Sequence, residues 1–312
     1  MISFGPVPSR RLGKSLGINN IIAPKVCSYN CVYCQVGRTK VFSKERHVFF
    51  DPDVIFNEVT HHLNQLKKEN FPDYLTFVSN GEPTLDKNLG TTIQLLKKLG
   101  IPIAVITNAS LLLMSSVRED LQKADWVSVK IDASDNQTWF KINRPCKGSD
   151  FGQHAKFIQG FAKEYKGILC TETMLVKKIN DSVPQLQSLA GIVKLLDPEK
   201  AYLSVPIRPP ADVKVKIPDE EKINEAWQIF NNKQIQTELL INFEGSNTGF
   251  TGNAFEDILN ITAVHPLRKE SVTELLHHDN ADYSVINSLL HQQLIKAVLY
   301  NNKWYYIRKY CV

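Results

Sequence analysis

Three cysteines crowd into the segment Cys27-Ser28-Tyr29-Asn30-Cys31-Val32-Tyr33-Cys34, spaced C-x3-C-x2-C. A loop of that length can turn three sulfurs toward one metal centre, and thiolates suit zinc or iron. Three ligands are one short of a closed tetrahedral zinc site. A 4Fe-4S cluster held by three cysteines keeps one iron open for a small molecule, whereas structural centres are normally closed. The competing expectation is structural zinc, with Cys146, His47 or another residue as fourth ligand. No second C-x-x-C pair stands ready to close a zinc ribbon. The other cysteines, Cys146, Cys170 and Cys311, are scattered, so crowding of the first three reads as metal ligation or redox chemistry in a reducing compartment, not as disulfides.

The elements that would position this loop follow a regular pattern. Runs rich in β-branched and aromatic residues at 15–22, 74–79, 103–107, 126–131, 168–176 and 201–206 read as six strands. Between them, 52–69, 86–99, 115–124, 150–166 and 183–197 carry helical periodicity. In 52–69, Val54, Ile55, Val59, Leu63 and Leu66 form an apolar stripe behind a cap at Asp51 and Pro52. Strand, helix, strand in repetition builds a parallel sheet, because a parallel partner cannot be reached through a tight turn. The expected class is α/β, either a partial (βα)6 barrel or a doubly wound sheet. In both, ligands bind beyond the carboxyl ends of the strands. Ser128, Lys130 and Asp132 alternate on the fourth strand and share one face, as a polar barrel interior requires. Thr171 and Thr173 flank Glu172 on the fifth, and only one of the two sets can point inward. The last part changes character: 257–266, 271–280 and 282–295 read as short helices, followed by two alternating strands around Asn301-Asn302. Three helices and a terminal hairpin suggest a winged helix. The expected division is residues 1–245 and 246–312, joined through RPPADVKVKIPDEEK and an extra strand, TELLINFEG.

The cysteine spacing resembles that of the radical S-adenosylmethionine (radical SAM) superfamily. GPVPSRRLGKSLGIN before the triplet, SNGEPTL after the second strand, KINRPCKG after the fourth and HPLRKESV in the tail resemble a family related to the wyosine-synthesis tRNA enzymes, over almost the whole chain. The resemblance implies a partial barrel of the radical SAM type, a 4Fe-4S cluster on Cys27, Cys31 and Cys34, and SAM as cosubstrate. It implies reductive cleavage of SAM to a 5′-deoxyadenosyl radical, which abstracts hydrogen from a substrate. A flavodoxin- or ferredoxin-type reductant would supply the electron.

The same resemblance distributes the parts of SAM. Gly81-Glu82-Pro83 would hold the methionyl ammonium, with Ser79 and Asn80 contributing polar atoms; alternatively Glu82 braces the following turn. Asn108, after Thr107, would meet the methionyl or ribose moiety. Lys130 could neutralise the carboxylate and Asp132 bind the diol, against the plainer reading of an internal Lys–Asp pair. Ser204 would face inward, and Ile207 and Tyr33 would contact adenine, although Tyr33 could equally pack its own loop. Cys146 is expected to be an ordinary loop cysteine, and Cys170 and Cys311 inert.

Composition bounds the rest. The 312 residues are 43% apolar and 22% charged, which excludes a disordered or disulfide-stapled chain. No apolar run is long enough to cross a bilayer and the start lacks a signal peptide, so a cytoplasmic protein away from membranes is expected. The net charge is +5, yet residues 1–50 alone hold eight basic side chains against one acid, Glu45. Arg10, Arg11, Lys14, Arg38, Lys40, Lys44 and Arg46 could follow the phosphates of an RNA or tRNA substrate, or form a solvated rim or a site for an acidic metabolite. Residues 254–312 balance at six basic and six acidic, and 282–295 contain no Lys or Arg. A lid or protein-docking module is therefore at least as well supported there as a DNA reader. Two other functions stay open: a radical SAM enzyme that modifies a peptide or activates a glycyl-radical enzyme, and a non-catalytic iron–sulfur DNA-binding regulator. Co-purified, salt-sensitive tRNA would favour RNA, and failure to cleave SAM would favour the regulator.

Overall fold

The computed structural model describes residues 2–243, 245 and 251–309. Cys311, the expected boundary at 246, Glu244 of TELLINFEG and the end of the terminal hairpin lie outside the described residues. The chain opens with an antiparallel hairpin, β1 (Ser3–Ser9) and β2 (Gly13–Ile18). Two short strands, β3 (Val26–Cys27) and β4 (Val41–Phe42), then pair in parallel on either side of the cysteine loop. An alternating series follows: α1 (Pro52–Gln65), β5 (Tyr74–Phe77), α2 (Leu89–Leu96), β6 (Ile103–Thr107), α3 (Ser115–Leu121), β7 (Trp126–Lys130), α4 (Asn136–Ile142), α5 (Phe151–Glu164), β8 (Ile168–Met174), α6 (Val183–Leu196), β9 (Lys200–Ser204), α7 (Glu220–Asn232) and β10 (Thr237–Leu240). The last described part holds α8 (Ala254–Ile261), β11 (Leu267–Arg268), α9 (Lys269–His278), α10 (Ser284–His291), β12 (Ile295–Tyr300) and β13 (Lys303–Arg308).

Local chemistry accounts for the helix boundaries. Asp51 accepts a hydrogen bond from the Asp53 amide, Pro52 occupies the first turn of α1, and Ile55, Val59 and Leu63 turn inward. Val54, assigned to the same stripe by periodicity, is instead exposed, and α1 stops at Gln65 with Leu66 as its cap.

The main sheet has eight strands in the order β1-β2-β5-β6-β7-β8-β9-β10, not the six expected. Seven run parallel from β2 to β10, and β1 lies antiparallel on β2. The strand TELLINFEG does not separate two parts: its first four residues extend the sheet as β10, after the crossover helix α7. β1 is harder to foresee, since SFGPVPS carries two prolines that cannot donate to a ladder. An edge strand tolerates them, and the register shifts between Phe4 and Val7. The sheet curls into a half-barrel. Arg10, just past β1, donates from Nη1 to the Asn242 carbonyl just past β10 at 2.7 Å, so the two edges approach each other.

Outside the sheet, the helices bury Leu89, Ile93, Leu186, Leu189 and Val193 against the strand residues Leu75, Val105, Val127 and Leu203. Inside, Leu12, Ala104, Trp126, Cys170, Tyr202 and Leu240 fill the floor. The C-terminal helices share a core with β1 through Phe4 and Val7, which meet Ile258, Val264, Leu275, Ile286 and Leu289. The three-stranded sheet β11-β13-β12 turns at Asn301 and Asn302, both at positive φ. Tyr300 and Tyr305 donate their hydroxyls to the Pro206 and Ile207 carbonyls at 2.6 and 2.8 Å, fastening this part beside the end of β9.

Candidate active site

β3 ends on Cys27 and the chain then loops through Cys31 and Cys34 at the mouth of the half-barrel. The segment after α4 clamps the loop from outside. Asn30 N donates to the Asn143 and Arg144 carbonyls, Val32 N to Ile142 O, and Cys146 N to Ser28 O, at 2.9–3.1 Å. KINRPCKG is therefore a brace for the cysteine loop. Beneath it, Tyr29, Trp139 and Phe151 pack with Cys27 in a small apolar core.

Each of the three thiols receives an N–H donor. Lys25 Nζ reaches Cys34 Sγ at 3.1 Å, Asn143 Nδ2 reaches Cys31 Sγ at 3.5 Å, and Cys27 Sγ accepts from Tyr29 N at 3.4 Å and Asn108 Nδ2 at 3.7 Å. Donors aimed at sulfur stabilise thiolate and tune a metal centre built on it. In the metal-free chain, burial and then the neighbouring Cys34 push the Cys31 thiol up to about 11, so loading a metal must expel a proton. Among the described residues, no three His, Cys, Asp or Glu side chains form a group that could hold a single metal ion. In a cubane cluster each cysteine takes a different iron, so its sulfurs need not meet at one point, as four zinc ligands must.

The loop opens onto a cavity of about 310 Å³. It brings together Cys27, Cys31, Cys34, Tyr33, Gly81, Glu82, Asn108, Lys130, Ser204 and Ile207, drawn from the ends of five strands and the cysteine loop. The sequence reading also singled out Asn80, Pro83, Ser128 and Asp132, and these stand outside the cavity wall. Ser128 Oγ and both polar atoms of the Asn80 side chain are buried without a hydrogen-bond partner.

Two acids named as ligands are occupied by the protein. Glu82 Oε1 accepts from Thr84 N, Thr84 Oγ1 and Thr107 Oγ1, and Oε2 accepts from Asn108 N, at 2.6–3.1 Å. Burial raises its pKa, opposed by those donors. Its carboxylate thus braces the turn, as the plainer expectation had it. The backbone of the same motif holds β3: Glu82 N donates to Val26 O at 3.1 Å, and Gly81 bridges Val26 at φ +149°. Asp132, buried, accepts from Tyr33 OH, from Asn143 Nδ2 at 2.7 Å and from Met174 N at 2.7 Å, with Lys130 Nζ 3.4 Å away. Both carboxylate oxygens are therefore filled without a diol, and the internal Lys–Asp pair is present. Cys146 lines no part of the cavity.

Glu172 completes the interior. Lys130 and Glu172 are register partners on β7 and β8, so Glu172 points inward and Thr171 and Thr173 point out. Its carboxylate pairs with Arg11, with Lys130 at 3.3 Å, and accepts from Ser204 Oγ at 3.0 Å. Burial opposes its charge, but Arg11 and then Lys130 outweigh it and hold Glu172 well below the usual carboxylate range. A depressed folded-state value stabilises the fold above the unfolded pKa of about 4.3, and this contribution disappears as pH falls further through the folded value. Glu172→Gln should cost about 2 kcal/mol at pH 7. Denaturant melts of both proteins from pH 7 to pH 3 should show that difference shrinking below about pH 4.3; a pH-independent difference would show that the charge does not matter.

Residues from afar also enter the wall. Gln35, next to Cys34, donates from Nε2 to Val264 O at 2.8 Å and accepts from Arg208 Nη1 at 2.8 Å. Val264 and His265 of the C-terminal part line the same cavity. Burial, then Arg208 and Arg10, push the His265 imidazole well below its ordinary value. No spacing in the sequence marks Gln35, Arg208 or His265, because they meet only through tertiary packing.

Comparison with known proteins shows the family and the fold. The description of the radical SAM superfamily matches residues 21–189. The chain belongs to that superfamily. Membership implies an enzyme. This radical SAM protein is 44% identical to a UPF0026 protein of Methanocaldococcus jannaschii over 98% of its own length and 96% of the relative's. It is 31% identical to an S-adenosylmethionine-dependent nucleotide dehydratase of Lacinutrix mariniflava, over 48% of this chain and 32% of that one. The solved structure of TYW1 with a lysine-pyruvate adduct superposes with a TM-score of 0.53 at 16% identity, covering 71% of this chain and 75% of that one, which shows a shared fold. Among the described residues no helix is long and apolar enough to cross a membrane.

Proposed function

We propose that this chain is a SAM-cleaving enzyme in which Cys27, Cys31 and Cys34 hold a 4Fe-4S cluster and SAM lies in the adjoining cavity. The supporting observation is that all three thiols, each with its own N–H donor, open onto one cavity with Gly81, Asn108, Lys130 and Ser204. A 4Fe-4S cluster held by Cys27, Cys31 and Cys34 would supply the single electron that reductive cleavage of SAM needs, and with it the means to take hydrogen from a substrate C–H bond. The protein's own residues do the rest. The backbone of Gly81 and Glu82 offers acceptors to the methionyl ammonium, Tyr33 is fixed by Asp132 beside Lys130 for adenine or ribose, and Ile207 supplies an apolar surface. Val264 and His265 exclude water from the far side. A flavodoxin- or ferredoxin-type protein supplies the electron.

We read residues 1–245 as the catalytic unit and 246–312 as a winged-helix unit that acts as a wall of the site, not as a DNA reader. Its cavity residues and its tyrosine hydrogen bonds to 206–207 support this role. The eight basic residues near the N-terminus do not form one stripe. Arg10, Arg11 and Lys25 line the cavity, Arg46 pairs with Asp120, and Lys14 donates to Glu69 O. A substrate inside the cavity fits that distribution better than an RNA backbone lying across it, and the nucleotide named for the Lacinutrix relative is of suitable size.

Electron paramagnetic resonance of anaerobically reconstituted, dithionite-reduced protein tests the cofactor pairing without turnover. The expected result is a cluster signal that changes on adding SAM. A signal indifferent to saturating SAM would count against an open iron.

A further inference from the structure

The three sulfurs are not served alike. The donors at Cys27 and Cys31 are neutral amides, Tyr29 N with Asn108 Nδ2 at the first and Asn143 Nδ2 at the second. Cys34 instead faces an ammonium, Lys25 Nζ, at 3.1 Å. A lysine is rarely buried unless an opposite charge meets it. Lys25 is only 6% exposed, and its head group donates to this sulfur and to a neutral carbonyl, Gly37 O, at 2.7 Å.

The residue is held at both ends. The Lys25 carbonyl accepts from Lys40 N at 3.1 Å and Val41 N at 3.0 Å, where β4 joins the strand that carries Cys27. Gly37 N donates to Cys34 O at 3.1 Å, so the carbonyl that anchors the ammonium belongs to the same turn as the sulfur it faces. Fixing so long a side chain sacrifices rotamer freedom. A neutral thiol returns little for that cost, whereas thiolate on a metal cluster returns a charge-assisted contact.

The sign of the effect follows from charge. Reduction adds one negative charge to an iron–sulfur cluster, and the potential responds to net charge, hydrogen bonds to sulfur and solvent exposure. A buried cation against a ligating sulfur stabilises the reduced state more than the oxidised one, and little water is present to screen it.

We propose that Lys25 is a positioning residue whose charge raises the reduction potential of the cluster held by Cys27, Cys31 and Cys34. This rests on the function proposed above, since it concerns the electron that the site receives. With Lys25 in place the cluster takes its electron from a weaker reductant than the three cysteines alone would require. Lys25 also lines the cavity, but its head group is committed to Cys34 and Gly37 O, so its charge acts on the sulfur and not on a bound ligand.

A potentiometric titration of the anaerobically reconstituted full-length protein, followed by electron paramagnetic resonance without SAM, tests this. At the parent's midpoint potential, Lys25→Met should lower the reduced-to-oxidised ratio at least tenfold, about 59 mV for one electron. Lys25→Gln keeps an N–H donor but no charge, and should lower the ratio by more than about threefold. Lys25→Arg, which keeps the charge, and Lys40→Gln, at an exposed position, should both stay within about threefold of the parent. The proposal is overturned if Lys25→Met also stays within about threefold, or if Lys25→Arg or Lys40→Gln shifts the potential as far as Lys25→Met. It is likewise overturned if Lys25→Met weakens SAM binding and leaves the potential alone, which would make the lysine a SAM ligand. If Lys25→Met loads no iron, Lys25→Gln decides by its own criterion, and failure of both to load overturns tuning in favour of a role in cluster assembly. A parent cluster that forms but ignores SAM would refute the proposed function and not the role of Lys25; a parent that forms no cluster would refute both.

Discussion

Cys27→Ala, Cys31→Ala and Cys34→Ala should each lose the iron and visible absorbance of the reconstituted protein, and with them all SAM cleavage. Each thiolate in a three-cysteine cluster serves its own iron, so two remaining ligands leave a second iron, besides the open one, without a protein anchor. Neither other described cysteine is placed to step in: Cys146 lines no part of the cavity, and Cys170 lies in the barrel floor among Trp126 and Tyr202. Cys146→Ala and Cys170→Ala therefore serve as controls and should load iron as the parent does. Removing a small, half-buried thiol such as Cys31 or Cys34 costs little packing, so the metal-free variants should still fold. Iron and sulfide assays with absorbance spectra decide the point, and full iron in all three variants would refute the ligand assignment.

Gly81→Ala should be the most damaging single methyl group in the half-barrel. A Cβ built there would stand 1.7 Å from the Val26 carbonyl oxygen, on backbone that cannot swing aside, and φ is +149°. Overpacking against a fixed atom and a backbone conformation foreign to L residues together cost about 4 kcal/mol. Relief requires β3 to move, and β3 carries Cys27, so iron loading should fall with stability. Gly100→Ala makes the comparison: its φ is +73° but nothing lies within 4 Å of the added carbon, so about 1 kcal/mol is expected. Chemical denaturation of both variants measures the difference. A Gly81→Ala protein within about 1 kcal/mol of the parent would mean that the bridge to Val26 is not tight.

The parts of this architecture that were legible in the sequence are those with local causes. Alternation and β-branching located β2, β5, β6, β7, β8 and β9, and Asp51-Pro52 marked the start of α1. The cysteine spacing by itself marked the loop of the proposed cluster ligands. β1 was hidden because its prolines speak against a strand, and only its place at a sheet edge makes them tolerable. α4 was missed because seven residues give too little periodicity, although it sets Asn143 over Cys31 and Asp132.

Roles inside the site were less legible than positions. Alternation correctly put Lys130 and Asp132 on one face with Ser128. It could not say that Asp132 spends both oxygens on Tyr33, Asn143 and Met174, since those partners come from distant segments. Glu172 could have been assigned inward had its register with Lys130 been known, because one residue of slip turns it to the other face. Gln35, Arg208 and His265 were beyond reach for the same reason as the walling of the cavity: residues far apart in sequence meet only when the C-terminal helices pack on β1 and Tyr300 and Tyr305 fasten to 206–207. The basic N-terminal segment shows the limit most plainly, because adjacent charges that read as one surface divide in the fold between the cavity and the outside.

The most direct measurement is 5′-deoxyadenosine, followed by mass spectrometry after anaerobic incubation of the reconstituted, dithionite-reduced protein with SAM. SAM-dependent formation of 5′-deoxyadenosine and methionine, absent from Cys27→Ala and preserved in Cys146→Ala, is the result expected of a site built on Cys27, Cys31 and Cys34. A fully loaded, reduced cluster that leaves SAM intact, with or without small anionic substrates, would contradict it.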